Sequence, residues 1–163
     1  MAMRSFEDLL VHELEDLYDA EHQLTQALPK MAQAATSTQV RKAFEQHLKE
    51  TEQQIKRLEQ VFDAMGHKAA RKPCKAMQGL VAEANEVLQE EMEGTLRDAA
   101  LIAAAQRVEH YEMAGYGTAR TYAHLLGNHD AAQFLQQTLE EEELTDKKLS
   151  QIATKINEHA MGG

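Results

Sequence analysis

Acidic residues interrupt three hydrophobic seams of this chain, at positions where a helix would carry Leu or Ala. The first seam runs through Leu10, Leu14, Leu17, Glu21, Leu24, Leu28 and Met31. The others run through Ile102, Ala105, Glu109, Glu112, Tyr116, Ala119, Ala123 and Leu126, and through Leu135, Leu139, Glu142, Asp146, Leu149, Ala153 and Ile156. Alternating steps of three and four residues mark the buried face of a helix. Because an unpaired buried carboxylate costs several kcal/mol, we expect cations to meet these acids.

A weak internal two-fold symmetry of the sequence relates the acidic residues of the two halves of the chain. Glu21 is followed by a histidine and, 29 positions later, by Glu50. Glu109 is likewise followed by a histidine and, 33 positions later, by Glu142. Two such halves would form an oxygen-rich cage of the kind that holds two iron or manganese ions.

Long helices are needed to bring these acids together. The chain has two prolines and no tryptophan but many Ala, Leu, Glu and Gln residues, a composition that favours helix over sheet. Apolar spacing and turn signals predict helices over about 5–35, 38–65, 76–91, 95–126 and 129–158. The connections after the first and the fourth of these are short, so each joins an antiparallel hairpin.

The predicted connection between the two hairpins takes about 30 residues, with a short helix of its own, as a crossover along a bundle requires. We therefore expect an all-α four-helix bundle that forms a single domain over residues 1–163. Glu21, Glu50, Glu109 and Glu142 fall near the middle of their helices, so the four acids are expected to meet at one level of the bundle.

Charge and composition exclude several classes of protein. A formal net charge of −10 argues against nucleic acid and anionic membranes as partners. Nowhere do 18 apolar residues run together, and the first residues do not resemble a signal peptide. The single cysteine, Cys74, cannot form an internal disulfide and has no partner at metal-binding spacing. These features predict a cytoplasmic protein.

Several segments of the chain resemble one known family. They are Asp19-Ala20-Glu21, His47-Leu48-Lys49-Glu50-Thr51, Asp98-Ala99-Ala100-Leu101-Ile102-Ala103-Ala104-Ala105-Gln106, Val108-Glu109-His110-Tyr111-Glu112 and Leu139-Glu140-Glu141-Glu142. Through these segments the chain is similar, over nearly its whole length, to the YciF/YciE group of bacterial ferritin-like stress proteins, and most of all to its YciF members. The resemblance implies a ferritin-like bundle, a homodimer and a rubrerythrin-like dimetal site.

The resemblance also implies the metal ligands, with two iron ions per chain expected and manganese as the alternative. The ligands carried over are Glu21, Glu50, Glu109, Glu112 and Glu142, with His47 as a possible sixth, and the last predicted helix offers Asp146 as a further candidate. The chain departs from the wider ferritin-like pattern, because no Glu is followed three residues later by His. The second predicted helix has the reverse order, with His47 before Glu50.

Two interpretations remain open for the acids and for the function. The acids could instead be neutralised internally by arginines such as Arg57, Arg107 or Arg120. A metal-binding chain could be a redox enzyme acting on O2 or peroxide with an electron donor that the sequence does not identify. The alternative is a stress-induced helical dimer that binds metal for stability, sequestration or partner recognition without turnover. A ferritin-like storage cage has less support in the sequence.

Overall fold

Polar caps and left-handed glycines set the ends of the helices. The Ser5 hydroxyl accepts a hydrogen bond from the Asp8 amide at 3.0 Å, and the Asp8 carboxylate accepts one from the Ser5 amide at 3.0 Å. This reciprocal pair starts the first helix. Gly66 and Gly127 adopt positive φ values of 71° and 73° after the second and fourth helices. Glycine takes this conformation without strain, so both helices end where the sequence predicts a turn.

The computed structural model describes residues 3–162. Its helices are α1 (Phe6–Ala34), α2 (Thr38–Ala64), α3 (Lys75–Gln89), α4 (Gly94–Leu125) and α5 (His129–Ala160). Each helix begins and ends within two residues of its predicted limits. The prediction of an all-α four-helix bundle is confirmed, since residues 3–162 contain helices and connections without a strand. None of these helices has the long apolar stretch that crossing a bilayer requires.

Cross-helix contacts define the order of the bundle. The Tyr18 hydroxyl donates to Glu59 at 2.9 Å, which pairs α1 with α2, and Arg120 donates to Gln136 at 2.7 Å, which pairs α4 with α5. The two hairpins also meet, since a Cβ atom added at Gly115 would lie 2.7 Å from a methyl group of Leu17. The α3 crossover packs along α1 and α4. The four bundle helices therefore run up, down, down, up, as a crossover along the length of the bundle requires.

The apolar core forms two clusters along the bundle axis. The crossover cluster contains, among others, Leu24, Leu28, Phe44, Met77, Leu101, Ile102, Leu149 and Ile152. The turn cluster contains Leu10, Leu14, Leu17, Leu58, Phe62, Tyr116, Ala119, Leu135 and Leu139, among others. On α1, α4 and α5 the change from one cluster to the other falls at the buried residues Glu21, Glu109 with Glu112, and Glu142. A polar layer therefore crosses the middle of the core.

Asp98 fastens the start of α4 to the turn between α1 and α2. Its side chain is 1% exposed and accepts hydrogen bonds from the backbone amides of Thr36 at 2.8 Å and Ser37 at 2.7 Å. Because Asp98→Ala leaves both amides without a partner, we expect it to lower the free energy of unfolding by about 2–4 kcal/mol. Urea unfolding of the variant checks this. The control is the exposed residue Asp63, whose change to Ala should cost less than about 0.5 kcal/mol; equal effects would contradict the role of Asp98.

Candidate metal centre

The polar layer consists of five side chains contributed by all four bundle helices. They are Glu21 on α1, His47 on α2, Glu109 and Glu112 on α4, and Glu142 on α5. Each is 0–2% exposed. One ligand atom from each of His47, Glu109, Glu112 and Glu142 lies within 4.8 Å of the corresponding atoms of the other three. The bundle therefore places four potential metal ligands within the reach of one ion.

Glu21 completes this layer from α1. The Tyr116 hydroxyl, itself fully buried, donates a hydrogen bond of 2.5 Å to Oε1 of Glu21. Burial and then the charge of Glu21 raise the pKa of Tyr116, so the phenol keeps the proton that it donates. The second oxygen of Glu21, Oε2, has no hydrogen-bond partner. Tyr116 thus fixes one oxygen of the carboxylate and leaves the other for a ligand in the layer.

The polar atoms of the layer lack partners within the protein. Both oxygens of Glu109, Glu112 and Glu142 are buried without a hydrogen bond, as are both ring nitrogens of His47. His47 Nε2 lies 3.0 Å from Glu109 Oε1 and 3.8 Å from Glu142 Oε2, but these approaches lack the geometry of hydrogen bonds. Native cores rarely leave so many polar atoms unsatisfied. Carboxylate oxygens with one imidazole nitrogen suit divalent iron or manganese, so the residues fit the implied metal.

Arginine does not neutralise the layer. Arg57 donates to Glu141 at 2.6 Å and to Thr138 at 2.8 Å, while Arg120 donates to Gln136. Arg107 is exposed. Within residues 3–162 no lysine or arginine forms an ion pair with the five layer residues. The alternative of internal pairing by these arginines therefore finds no support in the structure.

Burial and mutual repulsion determine the protonation of the layer. Burial is the main cause that raises the pKa of Glu21, Glu109 and Glu112 well above the usual carboxyl value, and the charge of Glu142 raises all three further. Burial also lowers the pKa of His47. Protonated carboxyls and a neutral imidazole are therefore favoured in the absence of a cation. A metal ion bound here would therefore displace protons, and its affinity would rise with pH.

Two of the predicted ligands, Glu50 and Asp146, pair with polar side chains that are not part of the layer. The Glu50 carboxylate is half-buried and accepts hydrogen bonds from Gln46 at 3.0 Å and Thr145 at 3.2 Å. Asp146 is paired with Gln106 and His110, each at 3.2 Å. The structure thus brings together Glu21, Glu109, Glu112, Glu142 and His47, while Glu50 lies at the edge of the layer and Asp146 outside it.

A second polar cluster lies on the face of α1 toward α3, and the sequence did not predict it. Tyr111 donates a short hydrogen bond to Asp16, and the Cys74 sulfur lies 3.3 Å from the same carboxylate and 3.1 Å from the Tyr111 hydroxyl. The Cys74 amide donates to Asp19 at 2.7 Å. These contacts anchor the crossover on α1. These contacts join residues that are far apart in the sequence, so the spacing of residues along one helix could not have predicted them.

Tyr116 is expected to position Glu21 for metal binding. Tyr116→Phe keeps the ring but removes the hydrogen bond that orients the carboxylate, and losing such a supporting contact weakens metal binding about 10- to 100-fold. Competition between the protein and a chromogenic chelator for Mn²⁺ measures the change. The control is Tyr122→Phe, because the Tyr122 ring packs edge-on against Phe6 at 5.1 Å. Equal affinities of wild type and Tyr116→Phe would show that Tyr116 serves packing alone.

Comparison with known proteins places the chain in a family. The family model described as a domain of unknown function, DUF892, matches residues 5–161. Protein YciF of Escherichia coli strain K12 is 50% identical over 154 residues, which cover 94% of this chain and 93% of YciF. The crystal structure of the Escherichia coli stress protein YciF has a TM-score of 0.93 at 48% identity, covering 96% of this chain and 99% of YciF.

Two further solved structures share the architecture. YcfI of Rhodopseudomonas palustris has a TM-score of 0.88 at 46% identity, over 90% of this chain and 94% of that one. A protein of Xanthomonas campestris has a TM-score of 0.77 at 18% identity, over 97% of each chain. At 18% identity, the similarity to the Xanthomonas campestris protein shows a shared fold alone.

Proposed function

This chain belongs to the DUF892 family, with YciF as a relative, and on that premise we propose that it is a stress-response protein with a dimetal centre. The residues that would hold the ions are Glu21, His47, Glu109, Glu112 and Glu142, with Glu50, at the edge of the layer, as a further ligand for the second ion. Iron is the expected metal and manganese the alternative. The observation that carries this proposal is the set of buried carboxylate oxygens without a hydrogen-bond partner.

Iron or manganese held between carboxylates supplies one-electron chemistry toward O2 or peroxide. The protein's own contribution is to bind the ions, orient the ligands and exclude water. The crossover and turn clusters cover the layer from both ends of the bundle. Glu109 and Glu112 lie one turn apart on one face of α4, so both carboxylates would face the ions.

Elemental analysis of protein purified without chelators from cells supplied with iron and manganese tests the centre. About two ions per chain are expected. A content near zero that persists after anaerobic ferrous reconstitution would overturn the proposal. Peroxide consumption by the iron-loaded protein then tests turnover, and the zinc-loaded protein is the control because zinc has no redox chemistry.

A second candidate is a helical dimer that binds metal without turnover. It is favoured by the missing Glu-x-x-His spacing, since His47 is the one imidazole in the layer among residues 3–162. Stable metal content together with no peroxide consumption would identify this function. For both candidates we propose a homodimer and a single domain over residues 1–163. The scattering mass tests the dimer, and coincident unfolding of the two core clusters tests the single domain.

A further inference from the structure

Gln54 is a buried polar residue on the same face of α2 as His47, one of the proposed metal ligands. On α2 the crossover cluster ends at Phe44 and the turn cluster begins at Leu58. The buried polar residues of α2 between them are His47, Thr51, Gln54 and Arg57. Because His47 and Gln54 are seven residues apart, they lie on one face of the helix.

Contacts on both sides of Gln54 set its part of α2 beside the part of α5 that carries Glu142. One turn before it, Glu50 accepts a hydrogen bond from Thr145 on α5. Three residues after it, Arg57 donates to Thr138 and Glu141 on α5. Along their helices, Gln54 on α2 and Glu142 on α5 both lie between these two sets of contacts. The Tyr18 to Glu59 bond between the antiparallel α1 and α2 likewise sets Gln54 near the level of Glu21.

The amide of Gln54 has no partner within the protein. The side chain is 1% exposed, and neither Oε1 nor Nε2 makes a hydrogen bond. Thr51, the neighbouring polar residue of this face, is satisfied, because its hydroxyl donates to the His47 carbonyl at 2.9 Å. Burying an unpaired amide costs free energy that an ordinary core residue such as Leu would avoid. Gln54 therefore has the features of a group that awaits a ligand.

We propose that Gln54 is a binding group for a small polar ligand of the metal centre, one that accepts a hydrogen bond from Nε2 and donates one to Oε1. Water and hydrogen peroxide have this chemistry. A primary amide supplies one acceptor and two donors, and it adds no charge to a layer already rich in carboxylates. The inference rests on the proposed metal centre and assigns to that centre a subsite for the exogenous ligand.

Azide titration of the cobalt-loaded protein tests the subsite without turnover. Azide accepts hydrogen bonds, and its binding changes the visible absorption of Co²⁺. Gln54→Leu and Gln54→Met remove the amide at similar side-chain volume, while Gln53→Leu makes the first of these changes at the adjacent exposed residue. We expect unchanged cobalt content in all three variants. The azide dissociation constant should rise about tenfold or more in both Gln54 variants and stay near wild type in Gln53→Leu.

The outcomes separate this inference from the proposed function. If wild type and Gln54 variants bind cobalt and bind azide within about twofold of one another, the subsite is wrong while the metal centre stands. If wild type takes up no cobalt, the metal centre and the subsite are both wrong. Metal-free stability gives an independent readout. Gln54→Leu should raise the melting temperature of the metal-free protein, because it removes an unsatisfied amide; a lower melting temperature would indicate a structural partner and contradict the inference.

Discussion

Glu142→Gln is expected to abolish metal binding while leaving the metal-free bundle at least as stable as wild type. Glu142 is the neighbour whose charge raises the pKa of Glu21, Glu109 and Glu112 alike, so it lies within electrostatic reach of every other carboxylate of the layer. The change keeps the shape of the side chain but removes the anionic ligand. It also removes a buried charge that repels three neighbours.

Metal titration and thermal unfolding with a chelator measure the two effects. We expect a loss of at least about 100-fold in affinity, in line with the loss of a ligand rather than of a supporting residue. The matched control is Glu143→Gln, since Glu143 is adjacent in sequence but exposed. Its affinity should match wild type. Retained metal in Glu142→Gln, or unfolding of that variant, would show that Glu142 serves another purpose.

Metal-free protein is expected to lose stability as the pH rises from about 5 toward 8, and metal is expected to remove that loss. Burial raises the folded pKa of Glu21, Glu109 and Glu112 above the usual value of 4.5, so above this pH the folded chain holds more protons than the unfolded chain. Stability then falls with rising pH, by about 1.4 kcal/mol for each unit of pKa difference once a group has titrated.

His47 contributes with the opposite sign. Burial lowers its pKa below 6.5, so the unfolded chain gains a proton there that the folded chain does not, and stability is lost as the pH falls. The raised pKa values of three carboxyls outweigh the lowered pKa of one imidazole. The metal-free protein is therefore expected to lose stability as the pH rises.

Melting temperatures between pH 5 and pH 8, with a chelator and with saturating Mn²⁺, check the prediction. The metal-free curve should fall by several degrees, and the metal-bound curve should be flat or should rise, because metal binds the deprotonated ligands. Glu142→Gln provides an internal control. It removes the repulsive charge, so its metal-free curve should fall less steeply. A metal-free wild-type curve that rises with pH would contradict the assigned protonation.

Sequence patterns within single helices were enough to predict the fold, the helix limits and most of the acidic residues of the layer. The apolar seams, the glycines at the turns and the long crossover predicted the all-α bundle and the helix limits. The same seams also singled out Glu21, Glu109, Glu112 and Glu142, because an acid on a buried face stands out against a regular period. This information is local, since it depends on which face of one helix is buried.

Only the tertiary structure decided which side chains from different helices meet. Glu50 and His47 lie on neighbouring faces of α2, and the packing of α2 against α5 turns His47 into the layer and Glu50 toward Thr145. Asp146 follows an apolar seam yet pairs with Gln106 and His110. A hydrophobic period records burial along one helix, whereas these partners depend on the register between helices and on side-chain rotamers. The unpaired amide of Gln54 is visible for the same reason only once all four helices are in place.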